Sequence, residues 1–181
     1  PNGGGSWSGN QTLIVGRDVD RNDDKPWIAC DRSQNSPWQG YVYVAWGVGG
    51  ALRIARSKNG GSTWTGVGGL DAGADVPDNQ GAWAPEVSVD DAGIVHIVWH
   101  SPNSTVIRYT RSTDGGETFE PARTVVNGIQ GLTSPPLPKT GSWAEFPGGK
   151  FRIVTLCTGC TIGNRFLVAW SDMREGYARI Y

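Results

Sequence analysis

The sequence predicts an all-β chain made of repeated, antiparallel four-stranded units. Three observations carry this. First, a turn-forming stretch recurs. It reads Ser112-Thr113-Asp114-Gly115-Gly116-Glu117-Thr118-Phe119, then Ser57-Lys58-Asn59-Gly60-Gly61-Ser62-Thr63-Trp64, and in shortened form Asn2-Gly3-Gly4-Gly5-Ser6-Trp7. The closing aromatics stand at positions 7, 64 and 119, in steps of 57 and 55, and a fixed period with a turn at each node marks a repeat architecture. Second, residues 41–46, 94–99 and 166–170 are β-branched and aromatic runs that end on Trp46, Trp99 and Trp170. Third, the 181 residues include 27 Gly and 9 Trp and show no convincing amphipathic helix, a balance that suits many turns and broad aromatic packing.

The turn stretch explains itself chemically. Ser and Asp (or Asn) two residues apart can bond to nearby backbone groups and hold a reversal closed. The glycine pair takes backbone angles that other residues resist. The aromatic then leads into the next strand with an apolar anchor.

In chain order, residues 7–15 read as the strand after a turn of this kind, and 16–24 as an acidic connection. Residues 27–30 are an inner apolar strand in which Cys30 packs, 33–40 a loop, 41–46 the strong strand, and 52–56 the strand entering the Ser57 turn. The next unit repeats the plan. A long connection over 69–81 precedes a strand at 83–89, a tight turn at Asp90-Asp91-Ala92-Gly93, the strong strand at 94–99, a strand at 106–111 and, after Phe119, one at 122–126. A proline-rich approach then leads to an inner strand at 151–156, the strong strand at 166–170 and a third strand begun at 177–181.

Four-stranded units repeated about an axis are the blades of a β-propeller. The expected division is a lone fourth strand at 1–15, a blade at 16–68, a second at 69–126, and the first three strands of a split blade at 127–181. Three blades do not close a ring. Tyr181 aligns with Ala55 and Pro1 with Lys58, so one chain's end followed by another's beginning would rebuild the turn with two positions unfilled. This suggests a two-fold homodimer forming a six-bladed ring, with each N-terminal strand completing the partner's last blade. The rival reading is an excerpt of a longer chain.

Composition excludes some function classes. A net charge of −1 gives no footprint for nucleic acid, and no apolar run is long enough for membrane insertion as a helix. The chain begins with Pro1 and shows no signal peptide, which reads as a mature product or a fragment. Cys157 and Cys160 flank Thr158-Gly159 in a hairpin turn, where they could form a local disulfide or stay free. No helix start is visible to activate a thiol, and no second pair completes a zinc site.

The repeated turns resemble the Asp box of the sialidase and BNR-repeat families, S-x-D-x-G-x-T-W/F, carried here by Ser57, Asn59, Gly61 and Trp64 and by Ser112, Asp114, Gly116 and Phe119. The resemblance implies a sialidase-like propeller with these turns at the blade periphery. It puts the site on the opposite face, among blade connections, first-strand starts and the turns after the strong strands. There, Phe151-Arg152-Ile153-Val154 followed by Trp170-Ser171-Asp172-Met173-Arg174 resembles the first sialidase blade, with its Phe-Arg-Ile-Pro segment and acid-x-Arg pattern. By this resemblance Arg152 maps onto an arginine that grips the sialic acid carboxylate. Asp172 and Arg174 map onto the acid-x-Arg pair, and Glu175 is the nearest candidate acid/base. A guanidinium suits carboxylate capture because its planar fork binds two oxygens. Val154 departs from the family's proline, and the tyrosine nucleophile, its glutamate partner and two further arginines have no counterpart placed here.

Aligning first-strand starts sets Trp27 and Trp83 at the place of Arg152, with Trp143 a competitor in the third unit. Two indoles and an arginine would suit a carbohydrate ligand, while packing between blades explains the indoles equally. Asp18, Asp20 and Asn22 open like a calcium loop, but Asp23 and Ala29 occupy its glycine and glutamate positions. No other cofactor is implied. His96 and His100 lie about 13 Å apart by strand rise, too far to share a metal. The functional expectation is a secreted or cell-surface, glycan-directed module related to exo-sialidases. A non-catalytic lectin-like or protein-interaction propeller is the alternative.

Overall fold

The computed structural model describes residues 5–6, 23–101, 105–132, 139–140, 143–145 and 152–181. These residues are all-β, with one turn of 3-10 helix at Val67–Gly69. The strands are β1 (Asp23–Cys30), β2 (Val42–Val48), β3 (Gly50–Ser57), β4 (Asp75–Val89), β5 (Val95–His100), β6 (Val106–Ser112) and β7 (Arg123–Asn127). Then come β8 (Lys139–Thr140), β9 (Trp143–Glu145), β10 (Arg152–Ile153), β11 (Cys157–Ile162), β12 (Arg165–Asp172) and β13 (Arg179–Ile180).

Strands β1 to β7 pair in sequence order, each antiparallel to the next. The 15-residue β4 belongs to two sheets. Its first half pairs with β3, as Arg53 opposite Asp75 and Ala51 opposite Gln80, and its second half pairs with β5. The change happens where Asp78, Gly81 and Ala84 all take positive φ, so the strand bends and the two four-stranded halves fold face to face. The expected connection over 69–81 is therefore strand from Asp75 onward. Its Asp-Val-Pro-Asp-Asn-Gln text lacks strand alternation, and it is the open edge of β3 that recruits it.

Between these halves lies the main core of Tyr43, Ala45, Leu52, Ile54, Val87, Val95, Ile97 and Trp99. Strand β5 is buried at all six positions. With a side-chain period of two, Val95, Ile97 and Trp99 face the first sheet, while Val98 faces a second core shared with Ile107, Cys157, Phe166, Val168 and Trp170. The β11–β12–β13 sheet thus stacks on the second sheet as the second stacks on the first.

Register corrects several expectations. The inner strand of the third unit is β11, not residues 151–156. It forms a hairpin with β12 around Gly163, with Cys157 opposite Trp170 and Cys160 opposite Leu167. The two cysteines are therefore in a strand, not a turn. An odd spacing sends their side chains to opposite faces: Cys157 is buried and Cys160 exposed, and both are free. Cys30, expected to pack, is also exposed, on β1, which among the described residues is the outermost strand of its sheet and leaves Ile28 62% accessible. Finally, the Trp170 amide and carbonyl bond to those of Tyr181, where Trp46 faces Arg53. Tyr181 thus matches Arg53 rather than Ala55, since the connection after Trp170 is longer than the tight turn after Trp46.

Candidate functional site

Two distinct ends of the stacked sheets follow from their connections. At one end the turns are chained together. Ser33 Oγ donates to the Asp91 carbonyl at 2.6 Å, and the Asp91 amide donates to the Gly163 carbonyl at 3.2 Å. The Ser/Asp turns lie at this end. In one, Gly116 N donates to Ser112 Oγ (2.8 Å), Ser112 Oγ to Asp114 Oδ1 (2.7 Å), and Thr118 N and Oγ1 to the Asp114 carboxylate (2.9 and 2.5 Å). The other repeats this with Ser57, Asn59, Gly61 and Thr63. Burial pushes the Asp114 carboxyl up, and the bonds from Thr118, Ser112 and the Glu117 amide outweigh it, leaving the group below the usual carboxylate range. Arg56, almost fully buried, ties the two turns by donating to the Gly115 carbonyl and to Glu117. The Ser57, Asn59, Ser112 and Asp114 side chains are all engaged in closing these turns.

The opposite end carries the candidate site. At the end of β12, Asp172 is fully buried and accepts from Gln130 N (3.1 Å), Arg174 N (2.9 Å) and Arg174 Nε (2.6 Å). Burial raises the Asp172 carboxyl, but the bonds from Arg174 and the Gln130 amide more than offset this, and it titrates below its ordinary value. In return Asp172 raises the Arg174 pKa. The Arg174 guanidinium lies over the Tyr181 ring at 5.3 Å, and Tyr181 stacks on Trp170 at 5.8 Å. Glu175 accepts from Tyr181 Oη (2.9 Å) and Tyr177 Oη (3.3 Å) and pairs with Arg179 Nε at 3.0 Å. Arg179 in turn covers the Tyr177 ring at 4.6 Å. The result is an exposed surface of two guanidinium groups, two phenols and a glutamate, anchored on one buried aspartate.

Of the residues singled out from sequence, the structure brings Asp172, Arg174 and Glu175 together. It joins to them Tyr177, Arg179 and Tyr181, which from sequence alone read as plain strand. The density of aromatic and charged residues over 170–181 was the available signal. Arg152 pairs by backbone with Glu145 on β9, in a sheet separate from β11 and β12, and Trp143 pairs with Thr140.

The two indoles do not share one structural position. Both first strands carry the same bulge, at Lys25-Pro26 and Ala84-Pro85, with positive φ on the residue before proline. This sets Asp24 (opposite Gly47) against Trp83 (opposite His100), and Trp27 (opposite Ala45) against Glu86 (opposite Val98). The alignment by tryptophan was off because proline, not the indole, marks the bulge. Trp27 is 45% exposed, while Trp83 meets His100 edge-on at 4.5 Å. Glu86 reaches the third sheet, accepting from Thr158 Oγ1 (2.7 Å) and Gly159 N (3.1 Å). His96 and His100 have separate partners, Asp90 with Tyr109 and the Ser101 carbonyl respectively. The calcium candidates Asp18, Asp20 and Asn22 lie outside the described residues.

No family model matches the chain, and no curated protein matches it. Among solved structures it is similar to a mutant NanB sialidase from Streptococcus pneumoniae, at 16% identity and TM-score 0.40, covering 78% of this chain and 20% of that one. It is similar to an intramolecular trans-sialidase from Ruminococcus gnavus at 15% identity and TM-score 0.44, covering 83% and 31%. A leech intramolecular trans-sialidase shows 13% identity and TM-score 0.41, covering 84% and 22%. The chain thus spans about a fifth to a third of the length of these structures.

Proposed function

We propose that this chain is a sialidase-like β-propeller module directed at glycans, and that an acidic sugar docks on the cluster that follows β12. The observation that carries this is Arg174. Its Nε and one Nη are held by the buried Asp172, while no described residue bonds its other Nη. A guanidinium fixed in this way offers a pre-oriented edge to a sugar carboxylate, and the fork binds two oxygens at once. Tyr177, joined to the same cluster through Glu175 and exposed, adds aromatic surface for a pyranose. The recurrent Ser/Asp turns at the opposite end support the same reading through the family they resemble. On this reading the module works outside the cell, secreted or at the cell surface.

Binding without hydrolysis is the form that the described residues favour. Glycoside cleavage needs a carboxylic acid that holds its proton near working pH. Asp172 titrates low and is committed to Arg174, and Glu175 is engaged by Tyr177, Tyr181 and Arg179. A lectin-like or protein-interaction role is therefore the form expected in assay, with sialidase turnover as the competing outcome.

Calorimetric titration with N-acetylneuraminic acid and with a neutral hexose tests the reading. Preferential binding of the acid, lost in Arg174→Ala, is expected. Equal affinity for both sugars, or retention in Arg174→Ala, refutes it. A fluorogenic sialoside assay run alongside, with Arg152→Ala as control, separates binder from enzyme.

A further inference from the structure

Three Asn-Gly pairs occur in the chain, at Asn2, Asn59 and Asn127, and the first lies outside the described residues. An asparagine amide carbon sits within reach of the backbone nitrogen that follows it, and glycine, having no Cβ, obstructs that approach least. The two described pairs are matched sterically. Gly60 and Gly128 have φ of +66° and +69°, and a Cβ on either would meet open space. Asn59 and Asn127 are both exposed. What separates them is bonding. The Asn59 amide is held at both ends: Oδ1 accepts from Ser57 Oγ and Thr63 N, and Nδ2 donates to Thr63 Oγ1, each at 2.9 Å. Among the described residues, nothing bonds the Asn127 side chain.

We infer that Asn127-Gly128 is a self-modification site, where the fold permits a ring closure that it blocks at Asn59-Gly60. The Gly128 backbone nitrogen gives its proton to solvent and bonds to Asn127 Cγ. The Cγ–Nδ2 bond breaks, and that nitrogen takes up a proton and leaves as ammonia. Water then adds to one carbonyl of the five-membered imide. Opening on one side leaves an aspartate. Opening on the other leaves an isoaspartate, whose backbone runs through Cβ and is one carbon longer. Nothing is oxidised or reduced, and water is the one co-reactant.

The place of Asn127 gives the isoaspartate a target. Asn127 ends β7, opposite Val106. Ile129 follows, 3% exposed in the second core, and its amide donates to the Thr105 carbonyl at 3.1 Å. Next, Gln130 N donates to the buried Asp172 carboxylate at 3.1 Å, and Met173 N donates to the Gln130 carbonyl at 2.8 Å. An extra backbone carbon between the β7 pairing and the anchored Ile129 has no slack to enter. It displaces Gln130 and loosens the aspartate that holds Arg174. The modification therefore acts on the cluster at the end of β12, whatever that cluster binds.

Peptide mass mapping, with isoaspartyl methyltransferase labelling, of the 181-residue chain aged in mild base tests this. The native chain should convert Asn127 more than about tenfold faster than Asn59, because the bonds of the Asn59 amide must open first. In guanidinium chloride the two rates should converge. Thr63→Ala, at an exposed position, frees Asn59 Nδ2 and should raise the native Asn59 rate several-fold while leaving Asn127 as it was. Similar native rates at the two sites, no conversion at Asn127, or an Asn59 rate indifferent to Thr63→Ala overturns the proposal. Hydrogen exchange reads the coupling. The Gln130 and Met173 amides should exchange faster in the isoaspartate form than in the fresh chain, whereas Asn127→Asp, which adds charge without the carbon, should leave them unchanged. Exchange equal in the isoaspartate form and the fresh chain overturns the action on Asp172.

Discussion

Replacing Asp114 isolates the chemistry that closes the repeated turn. Asp114→Ala removes the acceptor for Ser112 Oγ, Thr118 N and Thr118 Oγ1, besides the weaker pull of the Glu117 amide. Thr118 is exposed, so its two groups turn to water at about 0.5 kcal/mol each. Ser112 is 1% exposed and cannot, so its stranded hydroxyl costs about 1–1.5 kcal/mol. The sum is about 2–2.5 kcal/mol, or a fall of about 4–10 °C in melting temperature for a chain of this size. Asp114→Asn is the control supplied by the molecule itself. Asn59 holds the equivalent turn by accepting from Ser57 Oγ and Thr63 N and donating to Thr63 Oγ1. The amide should therefore cost less than about 1 kcal/mol. The sign of the pH effect follows from the depressed Asp114 pKa. The charged form is favoured in the fold, so its contribution is present above the ordinary carboxylate range and is lost as pH falls through the folded value. The gap between wild type and Asp114→Asn should thus narrow in acid. Urea unfolding of the three proteins at pH 7 and pH 3 measures all of this. Equal losses in Asp114→Ala and Asp114→Asn, or a loss under about 0.5 kcal/mol in Asp114→Ala, would sink the reasoning.

Other outcomes are equally direct. Burial lowers the pKa of both His96, against the opposing pull of Asp90, and His100. The unfolded chain therefore binds protons that the fold refuses, and stability should be full above about pH 6.5 and decline below it. A thermal scan from pH 7.5 to 5 should show the decline, and His100→Gln should flatten it; a level curve in the wild type argues against buried neutral histidines. Gly60 and Gly115 are matched turn glycines at φ +66° and +69°, yet only at Gly115 would a Cβ meet Trp38, at 2.5 Å, with open space at Gly60. Gly60→Ala should cost about 1 kcal/mol and Gly115→Ala about 2–4, and equal costs by urea titration would refute the packing of Trp38 on that turn. Burial pushes the Cys157 thiol up to about 12, while Cys30 and Cys160 are exposed. A thiol reagent should label those two in the native protein at pH 8 and Cys157 only on unfolding; rapid native labelling of all three contradicts the β11 register.

The strongest strands and the repeated turns were legible in the residues alone. Alternating β-branched and aromatic runs set β2, β5 and β12, because such side chains suit a pleated surface whatever lies beyond it. Ser, Asp and paired glycines set the turns, because their bonds close within eight residues. The cluster at Asp172, Arg174 and Glu175 was partly legible for the same reason, since its groups are near neighbours in the chain. Tertiary structure decided what depends on partners far away. Whether Asp75–Val89 is one strand or a connection turned on the edge of β3, and whether Cys30 packs turned on what covers β1. The bulges before Pro26 and Pro85 moved Trp27 and Trp83 out of equivalence, and a single residue of register exchanges the faces of a strand. Short-range bonds are written in the text of the chain, while which side of a strand is core is fixed only when another sheet lies down on it.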